Sequence, residues 1–538
     1  MAAALTTPEG ATPARPPANT EIIAGTSRRQ HTAASATVLL MISSFCSGLL
    51  ALVRIKYINY LFGAGVAQDA YQAAFTLPDL LNYFLIGGAA SISLITILNR
   101  YRETGDEAGA DRALSVILTN MLLVLGAGVL LAEIVAPQIV SLTNKGFPPE
   151  THDLCTALTR VMLPVQLFIL TGSMMGARLQ VRKIFVYQAW MPIIYNGGII
   201  GGAVLLHKQV GIFSLALGVL GGMFVGSALL NTLGALRTGL RFRPVMNFRD
   251  PVYVEWLRLS LPLMIGVSLV MFDSVFMKRF ASSERGGVTL ISVAKYLFNA
   301  PFNVIGPAAG AASLPFFASL FQRGRLYDFS ESVGRSVSRL FCVGLLVSAW
   351  MIALGPWLMD LFRGGRFSRA DARETTLLFT ILSITLAVWA VQGIYARAFY
   401  AASDTRTPAI TGTLITVLSL PLYWALHQAK GLEGLAIASD IGITCQTLAL
   451  AVLLHRHRLV SLMHLEGREI ALSAIAALCA AVATGSVVYR LPVAHTYLGD
   501  ALTLTVGTLT WGLVTLIVLR LTGSKLPGQV LRRRRSAA

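Results

Sequence analysis

From residue 36 to residue 520 the chain is a near-continuous series of apolar segments, each about as long as a bilayer is thick. About 20 mostly apolar residues make a helix that crosses the hydrocarbon core. Such segments lie at 36–56, 70–98, 113–136, 157–178, 185–207, 211–236, 255–278, 290–320, 336–362, 375–400, 408–428, 432–454, 469–489 and 498–520. Inside lipid the backbone must satisfy its own polar groups, so each segment is expected to be helical. Only 13% of the residues are charged, against roughly 25% in a soluble globule, which leaves too little polar surface for a water-soluble body. The expectation is an all-α polytopic membrane protein of about fourteen transmembrane helices.

An even number of spans puts both termini on one side, and the basic residues say which. With the N-terminus cytoplasmic, the inner loops hold Arg100, Arg102 and Arg112, then Arg178, Arg182 and Lys183, then Arg237, Arg241, Arg243 and Arg249. Later inner loops add Arg323, Arg325, Arg335 and Arg339, then Arg397 and Arg406, then Arg456, Arg458 and Arg468, and finally Arg532–Arg535. The opposite loops carry roughly half as many, as the positive-inside rule requires of cytoplasmic termini. Topology thus accounts for the net charge of +18, and no nucleic-acid partner is expected. Arg363, Arg366, Arg369 and Arg373 go against the rule, on the expected outer side. That loop either turns toward an anionic ligand, meets lipid headgroups as an amphipathic surface, or marks a local error in the span count. Residues 1–34, rich in Ala, Thr and Pro, are expected to be a disordered cytoplasmic tail, and 526–538 a basic one. The five cysteines are scattered, mostly within apolar spans, without metal-ligand spacing, and read as small buried residues.

The stretch Phe62–Arg102 crosses the membrane yet carries Asp69, Pro78, Asp79, Asn82 and the pair Gly87-Gly88. Polar groups at that depth face protein or a water-filled path. An echo follows about 220 residues later. Gly87-Gly88-Ala89-Ala90-Ser91 recurs as Ala309-Gly310-Ala311-Ala312-Ser313, and Asp111-Arg112-Ala113-Leu114-Ser115 faces Gly334-Arg335-Ser336-Val337-Ser338. Two pseudo-symmetric six-helix lobes follow, at 35–250 and 251–460, with two further helices at 461–525. Paired bundles around a central cavity are the build of alternating-access carriers. Asp273, near the middle of its span, either binds a coupling cation or proton, or pairs structurally with a neighbouring lobe's Lys or hydroxyl.

Several stretches together resemble the MurJ/MviN lipid II flippases of the multidrug/oligosaccharidyl-lipid/polysaccharide exporter superfamily. They are FGAGVAQDAYQAAFTLPDLL at 62–81, Ala189–Asn196, Leu361–Ser368 and, most specific, RAFYAASDTRTP at 397–408. The resemblance runs from about residue 35 to 525. It implies a fourteen-helix carrier whose lobes face a cationic cavity. Its cargo would be the undecaprenyl-diphosphate-linked peptidoglycan precursor, moved from the inner to the outer leaflet of the bacterial inner membrane. A diphosphate suits fixed cations, Arg above all for its fork geometry. The last two helices would hold the polyprenyl tail.

By the same resemblance, Arg54 and Asp69 match family positions, while the arginines expected at three others are Gly48, Asn82 and Tyr296, and an acid is Asn299. Arg54, Lys56, Lys295 and Asn82 are therefore the candidate headgroup contacts. Arg54 and Lys56 equally read as helix-end anchors that snorkel to the interface. Asp69, Gly87, Gly88, Gly310 and Asn299 are candidate gating or structural residues, and Asp273 the candidate cation site. No cofactor or metal is expected; Na⁺, H⁺ or the membrane potential are the candidate drivers. The expected partners are the lipid-linked glycan, membrane lipids and the cell-wall synthesis machinery. Readings kept open are a flippase for another polyprenyl-linked saccharide, a cation-coupled small-molecule antiporter and a non-transporting cell-wall scaffold. No nucleophile–base pair or P-loop is present, which argues against an enzyme.

Overall fold

The structure, a computed structural model, describes residues 33–83, 89–264, 269–491 and 496–528. Gly87, Gly88, most of the N-terminal tail and the last ten residues lie outside the described residues. The described chain is helical, with one isolated β-bridge between Gly364 and Phe367. The first half contains α1 (Ala33–Phe62), α2 (Val66–Ala74), α3 (Thr76–Leu81), α4 (Ala89–Glu103), α5 (Glu107–Thr143), α6 (Pro149–Met162), α7 (Val165–Val181), α8 (Val186–Val210), α9 (Phe213–Met223) and α10 (Leu230–Arg237). A π-helical stretch, Phe224–Leu229, joins the last two. The second half contains α11 (Pro251–Met264), α12 (Leu269–Ala281), α13 (Gly287–Gln322), α14 (Leu326–Asp360), α15 (Arg369–Ile384), α16 (Leu386–Ala401), α17 (Arg406–Arg456), α18 (Gly467–Val488) and α19 (Tyr497–Leu521).

Among the described residues ten helices are long and apolar enough to cross a membrane, or eleven if α15 and α16, bent by 43°, form one span. Fourteen is not the number this criterion returns over the described residues. The segments expected at 408–428 and 432–454 are both present, as two helices that meet within α17 at Gly431, whose φ of +57° is not helical. A positive φ is cheap for glycine, so the chain turns there without a loop. Within the 70–98 segment, α2 ends at Ala74 and the short α3, which holds Thr76 and Pro78, begins after Phe75. α11 and α12 cover the described parts of the 255–278 segment.

The internal repeat is visible in hydrogen bonds. Ser115 on α5 accepts the backbone N–H of Arg243 at 3.2 Å, and its counterpart Ser338 on α14 accepts that of Glu466 at 2.9 Å. Each serine thus holds the polar strap that follows its own bundle. α18 and α19 pack on α14 and on each other.

The apolar cores are distributed unevenly along the molecule. At the end where α1 finishes, one continuous core joins both halves, including Ile58, Tyr71 and Leu158 with Met277, Phe298 and Tyr423. At the other end there are two. One packs α4, α5 and α7 (Leu94, Leu114, Met174), the other α13, α14, α16 and α17 (Phe317, Phe329, Leu450). Tyr253 and Trp256 of α11 belong to the first of these, and Glu255 takes Arg100 in a two-point ion pair at 2.8 Å. With α11 packed on the first bundle, the rest of the two halves is fused at one end and separate at the other.

Candidate functional site

The fused end is tied by polar bonds between the halves. Asp69 of α2 accepts the N–H of Gly286 at 2.6 Å and the N–H and hydroxyl of Thr289 at 2.8 and 2.7 Å. Its carboxylate thereby caps the N-terminus of α13, where free N–H groups and the helix dipole favour an anion. Gly146 N–H donates to Ser282 Oγ at 3.0 Å, and Arg366 N–H to the Tyr60 carbonyl at 3.0 Å.

Next to this seal, α3 and α12 face each other across a cavity of about 350 Å³, lined by Thr76, Asp79, Asn82, Tyr83, Met271, Ser274, Val275 and Lys278. Its size lies within the range of small-molecule sites, about 300–1,000 Å³. Positions 271, 274, 275 and 278 form one i, i+3, i+4, i+7 face of α12, and 76, 79 and 83 a matching face on the other wall. Two polar stripes on apolar segments thus meet. Lys278 is the wall's cation; its Nζ donates to the Gln72 carbonyl at 2.8 Å. Reading the sequence missed it, because Lys278 and Arg279 close α12 as ordinary last-turn bases. The signal was the stripe it shares with Ser274.

Beyond Gln72 lies a second, smaller pocket of about 20 Å³, lined by Arg54, Asn59, Gln68, Tyr71, Gln72, Tyr195 and Tyr296, among others. That is room for one water, which needs roughly 10–15 Å³. The Arg54 guanidinium lies 5.6 Å from the centre of the Tyr195 ring, and Tyr296 donates its hydroxyl to Gln72 Oε1 at 3.3 Å. Gln72 therefore separates two cations, its carbonyl engaged by Lys278 and its side chain by Tyr296.

The four candidate headgroup contacts are not gathered in one place. Asn82 lines the larger cavity and Arg54 the smaller. Lys56 lies on the outer flank of α1, its Nζ 3.7 Å over the Tyr497 ring. Lys295 is turned inward within the second half, ion-paired to Asp273 and 4.7 Å over the Trp389 ring. Asp273 is 1% exposed and also accepts the Tyr423 hydroxyl. A buried carboxylate requires such partners; here they are a lysine and a tyrosine of its own lobe. Asn299 is half-buried one turn beyond Lys295, Gly310 lies within α13, and a side chain at Gly48 would meet open space. Asn196 links α8 to α1 through Ser47 Oγ at 3.1 Å. Among the described residues no cluster of His, Cys, Asp and Glu could hold a metal ion.

Comparison with known proteins agrees with this architecture. The profile of the family "Lipid II flippase MurJ" matches residues 58–506. A probable lipid II flippase MurJ of Vibrio cholerae is 26% identical over 509 residues, covering 91% of this chain and 96% of that one. The lipid II flippase MurJ of Burkholderia cenocepacia is 27% identical over 434 residues, covering 77% and 82%. A solved structure of a lipid II flippase MurJ in an inward closed conformation superposes with TM-score 0.72 at 20% identity, over 90% of this chain and 99% of that one. An inward-facing multidrug resistance MATE transporter gives 0.63 at 17% identity, over 80% and 99%. With the profile spanning most of its length, the chain belongs to the MurJ lipid II flippase family.

Proposed function

We propose that this chain flips lipid II from the inner to the outer leaflet by alternating access. As a member of this family with at least ten apolar helices, it is a multi-pass protein of the bacterial inner membrane and a transporter, not an enzyme. The observation that carries the reading is the cavity between α3 and α12, with Lys278 in its wall, set between a sealed end and a divided one. With both termini cytoplasmic, the divided end opens inward.

The chemistry then runs along one line. A diphosphate entering from the divided end meets the Lys278 ammonium and the amide of Asn82, and competes with the Asp79 carboxylate opposite for that ammonium. Arg54 waits behind Gln72 as a planar, permanently charged fork. When the Asp69 cap and the Lys278–Gln72 bond break, the sealed end opens and Arg54 becomes the nearer cation. The headgroup passes toward it and leaves, while the polyprenyl tail stays in lipid along α18 and α19. Outside, the cell-wall synthesis machinery takes the precursor. Asp273 already holds an ammonium, so a driving cation bound there would first have to displace Lys295, whereas a drive such as the membrane potential leaves Asp273 paired.

Expression in cells depleted of their own flippase tests the reading, with precursor access to the outer leaflet as readout. Restored access is expected. Failure at normal membrane levels would refute lipid II as the cargo.

A further inference from the structure

The four arginines between 363 and 373 are not absorbed by the transport pathway. The loop that carries them is built, not loose. Gly364 and Phe367 pair across a two-residue turn, through N–H···O bonds of 3.2 and 3.0 Å. Gly364 and Gly365 supply the φ values of +143° and +56° that the turn needs, and Phe367 anchors it in the core. Arg366, at the tip, is fixed by its own N–H to the Tyr60 carbonyl of α1. Tyr497 of α19 donates its hydroxyl to the Arg363 carbonyl at 2.8 Å.

Two acids of this segment are already engaged, and a third, the exposed Glu374, lies among the acids Glu284, Asp371 and Glu433. Asp371 accepts the Ser368 N–H at 2.8 Å in a capping box, and Asp360 lies 3.6 Å from Arg363. Arg366, Arg369 and Arg373 are exposed and make no ion pair among the described residues. Lys56 adds a fourth cation against Tyr497. The flank beside them is apolar and aromatic: Tyr60 and Tyr497 are each 51% exposed and Leu498 84%. Tyrosine at the rim of an apolar flank marks the headgroup level of a bilayer.

We propose that this corner, between the end of α1, the 363–369 loop and the start of α19, binds the headgroup of an anionic phospholipid. Arg366, Arg369 and Arg373 hold the phosphate oxygens, for which guanidinium forks on a fixed backbone are suited. The acyl chains lie along the exposed flank of α1. The site is separate from the cavity between α3 and α12 and does not depend on what that cavity carries.

Native mass spectrometry of the full chain in mild detergent, titrated with phosphatidylglycerol or phosphatidylcholine, tests the assignment. Retention of phosphatidylglycerol over phosphatidylcholine is expected. R366Q/R369Q/R373Q should weaken it by roughly a hundredfold, at about fivefold for each basic residue near an anionic surface. R366K/R369K/R373K should retain most of the preference. R323Q/R339Q/R456Q, which removes exposed arginines from the opposite end, should leave it unchanged. If the triple Gln variant aggregates, the three single Gln variants replace it, each with about a fivefold loss. Equal lipid retention by wild type and Gln variants overturns the proposal, as does displacement of the lipid by millimolar inorganic phosphate, which would make this a soluble-anion site.

Discussion

Asp69→Ala should loosen the sealed end, and the size of the effect can be worked from the cap. The carboxylate takes three hydrogen bonds, at 2.6, 2.8 and 2.7 Å, from Gly286 and Thr289 of the opposite half. Bonds to a charged group contribute about 1.5–3 kcal/mol each, and loss of a helix cap alone costs about 0.5–2 kcal/mol. Some of this returns when the freed N–H groups meet water, so we take about 3 kcal/mol for the whole cap. That is roughly a hundredfold change in the ratio of open to sealed states. An open population of about 1% would rise to near one half. Asp69→Asn should not rescue, because it removes the charge and turns an NH₂ group toward donors. Spin labels at Glu150 and Glu433, both exposed at this end and on opposite halves, report the distance by pulsed electron resonance once the native cysteines are replaced. Wild type should give one short distance, and Asp69→Ala a second, longer one of comparable weight. An unchanged distribution in Asp69→Ala would refute the reasoning.

Other substitutions separate the roles of the lysines and of the loop. Lys278→Gln should lower precursor flipping by about 10- to 100-fold, the worth of one contact to a charged group, with Lys278→Arg close to wild type in the depletion assay. Lys295→Ala strands the buried Asp273 carboxylate and should cost about 3–5 kcal/mol; thermal unfolding in detergent should recover most of it in Asp273→Leu/Lys295→Met. Gly365→Ala would place a Cβ 2.1 Å from the Tyr60 carbonyl oxygen, so the loop must leave α1; limited trypsin digestion should then cut faster after Arg366.

The fold was largely legible because lipid imposes a simple rule on sequence: apolar windows of span length must be helices. What the rule does not encode is continuity. Thr76 and Pro78 lie in the short helix α3 of a span that reads as continuous, whereas the turn at Gly431 falls between two spans that already read as separate. The candidate site was half legible. Asp69, Asp79 and Asn82 stood out as polar residues in an apolar segment, but Lys278 did not, since a base at a helix end is the commonest way to finish a span. Its role depends on Gln72, 206 residues away. Lys295 and Asp273 each looked functional alone, and only their contact shows that they satisfy one another.

The two halves also share a helix. Tyr253 and Trp256 of α11 stack with ring centroids 5.9 Å apart inside the core of the first lobe, and Trp256 is fully buried there. During synthesis, then, the first lobe cannot finish its interior until the opening helix of the second has been made. A gene cut at the symmetry boundary near residue 250 would yield a first product with a hole where Trp256 belongs, whereas a cut after α11 would leave that interior whole. The halves that repeat in sequence are consequently not the halves that can be inherited, exchanged or expressed independently.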